Sequence, residues 1–294
     1  MSATIIDGHQ IADKIKDEIV KDIMELNGGK RDLNSQQAKA DHRPNLAIVL
    51  VGEKEDSSIY VNLKEQEAKK VGVDTYLYKI PESAGDKEII EVIEHLNSDD
   101  TIDAILIQLP LPEGHDTDRV INSIDPAKDL DRFHPQNQEQ FLSSCDHDHI
   151  MPPVFRVVFS ILEDIGQEVK DKKACVISNS EVFGKGLVQA LECRGTQAEV
   201  CGSQNSDLKD KTSQADILVT AVGSPCFLKR DMVKEGATVI DVGISKEDKK
   251  VYGDVDFDEV KEKAGYLTPV PGGVGPITIA MALKNALELY KKRS

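Results

Sequence analysis

This sequence predicts a two-domain α/β protein: an N-terminal α/β domain, a second domain of parallel strands and helices, and a final helix that returns to the first. Three observations carry the prediction. The chain has 294 residues, more than one ordinary domain of roughly 100 to 200 residues uses, and 39% of them are hydrophobic. Short β-branched runs alternate with amphipathic helical stretches through most of its length. The connections between successive strands are long enough for helical crossovers, which favours parallel sheets.

Taken in order, Ile11, Ile15, Ile19 and Ile23 recur every four positions with Lys and Asp between them, the pattern of an amphipathic helix. Residues 28–43 are polar, contain glycine and show no period, so they read as a surface loop or insertion. Residues 46–51 form an apolar strand closed by Gly52, followed by a helix to residue 70, a strand over 73–80, a helix over 87–97 and a third strand over 103–109. A second alternating series starts at Lys173, with strand ACVIS, a helix over 184–193, then strands AEVCG, DILVTAVG and ATVIDVG. That is the rhythm of a Rossmann-like dinucleotide-binding domain. The last helix is expected over 276–292, so the first domain comprises residues 1–150 plus 276–294 and the second 151–275.

Charge narrows the partners. Lys plus Arg number 36 against 52 Asp plus Glu, a net charge of −16, which repels nucleic acid and anionic membrane surfaces. A small anionic ligand remains possible where local groups override the global field. The five cysteines, Cys145, Cys175, Cys193, Cys201 and Cys226, are scattered and form no CxxC pair, so reduced thiols in a cytoplasmic protein are expected. The N-terminus becomes charged before any long apolar run develops, and no apolar stretch has spanning length. The 146–149 run, Asp-His-Asp-His, sits on one loop whose adjacent residues seldom converge on a metal; a solvated loop and no metal are expected.

Three segments offer chemistry. Tyr60 and Lys64 are four apart and share one helical face, either as partners in one site or as an exposed lysine above a half-buried tyrosine. Gln108 interrupts an apolar run just before Pro110 and Pro112, at a carboxyl strand end where open α/β sheets receive ligands. Asp129 and Asp131 lie in a polar turn with Lys128 and His134, which either presents a carboxylate to a ligand or is simply solvated.

Together these segments carry a resemblance. The chain has VGxxxxSxxYxxxK at 51–64, including Ser57, then QLPLP at 108–112, KDxDxFHPxN at 128–137 and TPVPGGVGPxT at 268–278. Four ordered segments across nearly the whole chain resemble the bifunctional methylenetetrahydrofolate dehydrogenase/methenyltetrahydrofolate cyclohydrolase family. The resemblance implies a cytoplasmic homodimer of one-carbon metabolism, serving purine biosynthesis. It would oxidise 5,10-methylenetetrahydrofolate with NADP or NAD and hydrolyse the methenyl product to 10-formyltetrahydrofolate. It also implies that Lys64, Tyr60, Gln108 and Asp131 are catalytic, and that Ser57, Tyr60, Pro271, Gly272 and Gly273 bind the folate. Ser178, Asn179, Ser180, Gly184, Ser203 and Ile244 would bind the cofactor. Chemically, opening a methenyl bridge needs water at an electrophilic carbon and a proton at the departing nitrogen; a desolvated lysine can exchange that proton near neutrality.

The departures from that pattern matter as well. The cofactor loop usually reads GRSxxVGxP, whereas this chain has Ser178, Asn179, Ser180, Glu181, Val182, Phe183, Gly184, Lys185 and Gly186. Asn179 stands where an arginine would pair with the 2′-phosphate of NADP, which opens NAD as the cofactor. Gly202 and Asn205 also replace the usual histidine and threonine, and Arg132 replaces a glycine beside Asp131. For Arg132, pairing with the glutamate tail of the folate and a plain surface position are both open. A cyclohydrolase with weak or lost dehydrogenase activity, or a non-catalytic folate-binding relative, are the alternatives these changes leave.

Overall fold

The computed structural model describes residues 2–28, 43–52, 54–145, 150–247 and 250–293. The insertion therefore lies outside the described residues except at its two ends, as does the 146–149 run. The chain begins with β1 (Thr4–Ile5), α1 (Gly8–Leu26), β2 (Asn45–Val51), α2 (Glu55–Val71), β3 (Asp74–Ile80), α3 (Asp86–Ser98) and β4 (Ala104–Ile107). Three helices follow, α4 (Thr117–Ile121), α5 (Pro135–Ser143) and α6 (Pro153–Asp164). The second series is β5 (Lys173–Ser178), α7 (Glu181–Glu192), β6 (Gln197–Cys201), α8 (Leu208–Thr212), β7 (Ile217–Ala221), β8 (Thr238–Asp241), β9 (Ser245–Glu247), β10 (Lys250–Tyr252), α9 (Phe257–Val260), β11 (Tyr266–Leu267) and α10 (Val274–Arg293).

Two compact units result. One comprises Asp13–Gln140, His147–Pro153 and Ile279–Ser294; the other comprises Met1–Ala12, Phe141–Asp146 and Val154–Thr278. The sequence reading had kept residues 1–12 with the first domain, but β1 pairs with β11 and so extends the second sheet.

In the first unit, β2 lies between β3 and β4 in a three-stranded parallel sheet. Residues Leu46 to Val51 are all buried, which explains why β2 reads as a continuous apolar run rather than an alternating one. Ala47, Val49 and Val51 pack with Ile89, Ile93 and Leu96 of α3 and with Val120 of α4. The helix α2 ends at Gly72, whose φ of 90° lets its N–H reach back to the Ala68 carbonyl. As expected, the last helix joins this unit: Lys284 and Lys291 of α10 pair with Glu18 and Asp22 of α1.

The second unit carries a six-stranded parallel sheet in the order β1-β11-β8-β7-β5-β6, with β9 and β10 as a separate antiparallel hairpin. From β5 the chain goes to β6 on one side and then crosses to β7 on the other. The order of connection thus reverses between β5 and β7, a position where ligands rest against carboxyl strand ends.

One helix and one cysteine pairing lie outside the sequence expectations. Pro153 opens α6, a first-turn position where its missing N–H costs no hydrogen bond. Phe155, Val158, Ile161 and Leu162 of that helix are buried. The thiols are not all reduced: Cys145 and Cys193, separated by 48 positions, form a disulfide with Cα atoms 5.3 Å apart. Cys175, Cys201 and Cys226 are free. Among the described residues no helix is long and apolar enough to cross a membrane.

Candidate active site

The helix α2 places Ser57, Tyr60 and Lys64 at spacings of three and four, with Ser57 buried, Tyr60 36% exposed and Lys64 half-buried. Gln108 follows β4 and is held there by its own N–H, which donates to the Val49 carbonyl at 2.9 Å. Lys64 Nζ donates to Gln108 Oε1 at 2.8 Å. Gln108 Nε2 donates to the Leu109 carbonyl at 2.7 Å, which fixes the amide so that its oxygen faces the ammonium.

Asp131 reaches the same unit by a third route. Residues 128–130 run alongside β4: Ile105 N–H donates to the Lys128 carbonyl at 2.7 Å and Leu130 N–H to the Ile105 carbonyl at 3.1 Å. Lys128, only 5% exposed, donates its ammonium to the carbonyls of Leu96, Asn97 and Asp99 at 2.7–3.0 Å, capping the end of α3. Buried Asp129 accepts from His134 N–H at 2.8 Å and Asn137 Nδ2 at 3.0 Å. From α10, Asn285 Nδ2 donates to the Leu130 carbonyl at 3.0 Å. The residue before Asp131 is therefore fixed on both sides.

Burial lowers the Lys64 pKa, opposed by the nearby Asp131 carboxylate. Burial raises Asp131 to about 6, with Lys64 pulling the other way and Asp129 adding to the rise. The pair therefore brings an acid and a base towards neutrality from opposite directions, as proton transfer near neutral pH requires.

Arg132 is neither an exposed surface residue nor free of strain. It takes φ of 60°, a region that favours the glycine it replaces, and is half-buried with Nη1 on the Pro126 carbonyl at 2.7 Å.

In the other unit, the carboxyl end of β5 opens into the loop the sequence singled out. Ser178 is buried and its Oγ accepts from Ser180 N–H at 3.0 Å. Ser180 caps α7 by accepting from Phe183 N–H at 3.3 Å. A Cβ on Gly184 would lie 2.5 Å from Val200 Cγ2, so only glycine permits this approach of α7 to β6. Asn179 Oδ1 accepts from both Ser203 N–H and Ser203 Oγ at 3.0 Å, tying the loop after β5 to the one after β6. Ile244, after β8, is 49% exposed. Pro271 is exposed, and the Gly272 carbonyl accepts from Gly8 N–H at 3.0 Å, with φ of 99° at Gly272.

The predicted residues thus fall into two groups. Ser57, Tyr60, Lys64, Gln108 and Asp131 belong to the first unit; Ser178, Asn179, Ser180, Gly184, Ser203, Ile244, Pro271, Gly272 and Gly273 belong to the second. A helix-capping serine, a close-packed glycine and a turn at the sheet reversal fit a dinucleotide phosphate. A cavity of about 660 Å³, lined in part by Lys173, Gln197, Glu199 and Lys211, lies at the amino ends of β5 and β6, away from this chemistry.

Sequence reasoning missed two buried acids in the second unit, Asp241 and Asp254, at 2% and 0% exposure. For Asp241 the signal was available, since it interrupts the apolar run VIDVG; Asp254, in GDVDF beside a second aspartate, offered none. Burial raises Asp241 to about 7, against three backbone N–H donors and with the help of Asp254.

Comparison with known proteins finds two family models that between them cover most of the chain. Residues 6–131 match the model of the tetrahydrofolate dehydrogenase/cyclohydrolase catalytic domain, and residues 152–294 that of its NAD(P)-binding domain. The chain is 42% identical over 289 residues to the bifunctional protein FolD of Nitratiruptor sp., covering 98% of each. Its structure is similar to that of the FolD methylenetetrahydrofolate dehydrogenase/cyclohydrolase from Campylobacter jejuni, with a TM-score of 0.91, 35% identity and full coverage of both chains. It is also similar to the Trypanosoma brucei enzyme complexed with NADP and an inhibitor, with a TM-score of 0.90, 29% identity and coverage of 99% and 98%. The chain belongs to the tetrahydrofolate dehydrogenase/cyclohydrolase family.

Proposed function

We propose that this protein oxidises 5,10-methylenetetrahydrofolate to the methenyl compound with a nicotinamide dinucleotide and hydrolyses that product to 10-formyltetrahydrofolate. The observation that carries the reading is the 2.8 Å bond from Lys64 to Gln108, with Asp131 acting on the same ammonium, in a chain matched by both family domains. NADP is the cofactor the T. brucei relative holds; the Asn179 substitution keeps NAD as the other candidate.

In hydrolysis, water attacks the amidinium carbon and the departing ring nitrogen takes a proton. Lys64 exchanges that proton, its pKa lowered by burial. Gln108 holds Nζ in place, and Tyr60, one helical turn away, orients it. Asp131 and Gln108 hold and polarise the pterin end, while Ser57, on the same helix as Tyr60 and Lys64, helps seat the folate.

The dinucleotide, when bound, supplies the acceptor for the hydride of the methylene carbon. Ser178, Asn179, Ser180, Ser203 and Ile244 would hold it, on the domain spanning 151–275. The residues of the folate chemistry, Tyr60, Lys64, Gln108 and Asp131, belong to the other unit. In this reading the protein works as a cytoplasmic homodimer, without nucleic-acid or membrane partners, since its net charge of −16 opposes both.

The test follows reduced nicotinamide with methylenetetrahydrofolate plus NADP or NAD, and separately the decay of methenyltetrahydrofolate. Turnover in both is expected. Decay without reduced cofactor would leave a cyclohydrolase alone, and silence in both would overturn the proposal.

The pH dependence has a defined sign. Asp131 titrates at about 6, so its carboxylate is present above that pH and lost below it. Hydrolysis is expected to fall as pH drops through about 6, and an Asp131→Asn variant should show lower activity without that acid limb. A limb that persists in the variant assigns the titration to another group.

A further inference from the structure

The residues after β7 lie where the strand order of the six-stranded parallel sheet reverses, and their backbone is held by one buried carboxylate. Asp254 Oδ2 accepts from Thr220 Oγ1 at 2.8 Å and from Val222 N–H at 2.6 Å; Oδ1 accepts from Ser224 N–H at 2.8 Å. All three donors come from residues 220–224. With the N–H groups of Val222 and Ser224 turned onto the carboxylate, no partner among the described residues takes up the Gly223 N–H or the Val222 and Gly223 carbonyls. Gly223 itself is exposed.

Asp254 is seated in turn by Asp241. Asp241 Oδ1 accepts from Asp254 N–H at 3.1 Å and Gly243 N–H at 3.0 Å, and Oδ2 from Val255 N–H at 2.9 Å. The Asp241 N–H donates to Thr268 Oγ1 at 2.7 Å. Two adjacent buried carboxylates are a costly way to hold a fold, because each must be desolvated and each repels the other. Their bonds are nonetheless concentrated at the carboxyl ends of β7 and β8, the rim where an open α/β sheet receives its ligand.

We propose that Asp254 is a positioning residue for dinucleotide binding, presetting residues 220–224 so that the free polar groups of Val222 and Gly223 face the ligand, with Asp241 holding Asp254 in place. The proposal rests on the dinucleotide reading of this rim. Asp254 touches no substrate; it acts through the backbone it grips.

An Asp254→Asn variant keeps an oxygen for Thr220 and Val222 but sets an amide N–H₂ against the Ser224 N–H. The expected result is a KM for the dinucleotide, and a Kd by direct titration, raised about tenfold, with a smaller change in kcat and methenyl hydrolysis within about twofold of wild type. Thr220→Val, which removes one donor and nothing else, should raise KM about threefold and decides the matter if the first variant fails to fold. Val260→Ala, which opens a small gap in the core of the same unit, serves as the stability control.

An unchanged KM in a folded Asp254→Asn or Thr220→Val variant overturns the proposal alone. So does an equal rise in Val260→Ala at matched Tm. Wild-type protein that binds neither NAD nor NADP, while still hydrolysing the methenyl compound, overturns the dinucleotide reading and the proposal with it.

Discussion

A Lys64→Met variant is expected to hydrolyse methenyltetrahydrofolate about 10² to 10⁴ times more slowly than wild type, the usual contribution of a positioned acid-base group. Methionine keeps the length of the side chain and removes only the ammonium, so thermal unfolding should shift little. The half-buried position supports this, because a desolvated ammonium contributes little net stability. Two further effects should accompany the loss. Gln108 Oε1 forfeits its 2.8 Å donor, and Asp131, no longer held down by Lys64, should titrate above about 6. Methenyl decay and a thermal melt on the same preparation check the prediction; hydrolysis within about threefold of wild type would remove Lys64 from the mechanism.

Lys128→Met should do the reverse, acting first on stability. Lys128 is buried to 5% exposure and its ammonium satisfies three carbonyls at the end of α3. All three would lose their charged donor, the Leu96 and Asp99 carbonyls keeping only the N–H groups of Asp99 and Ile102, at a cost of about 3 kcal/mol or more given what charge-assisted hydrogen bonds contribute. The same segment runs on through Asp129 and Leu130 to Asp131, so hydrolysis should fall together with unfolding stability. Denaturant titration and turnover together test this. A stable variant with normal turnover would show that α3 and the 128–131 segment are held in place by other contacts.

The two variants mark different layers of legibility. Local pattern was enough for the major elements: the four isoleucines of α1, the apolar run of β2, the alternating second series and the helix α10 all appear near their expected places. The four ordered segments were enough for the family, because each combines chemical residues with turn-forming glycine or proline at fixed spacing. What pattern could not supply were pairings without a short-range signal. The two-residue strands β1 and β11 are too short to show alternation, and α6 was hidden because Pro153 reads alike as a turn breaker or a first helical residue.

By itself, then, the sequence determined the two α/β halves, the net negative charge and the choice of Tyr60, Lys64, Gln108 and Asp131 as candidate catalytic residues. Tertiary structure alone decided that Lys64 meets Gln108 across 44 positions, that Lys128 and Asn285 fix the segment leading to Asp131, and that Cys145 pairs with Cys193. It also decided that Asp254 grips residues 220–224. The physical reason is range. Helix and strand periods follow from neighbours a few residues apart, whereas the desolvation that shifts a lysine, or a carboxylate that collects three donors, depends on what the folded chain brings around it.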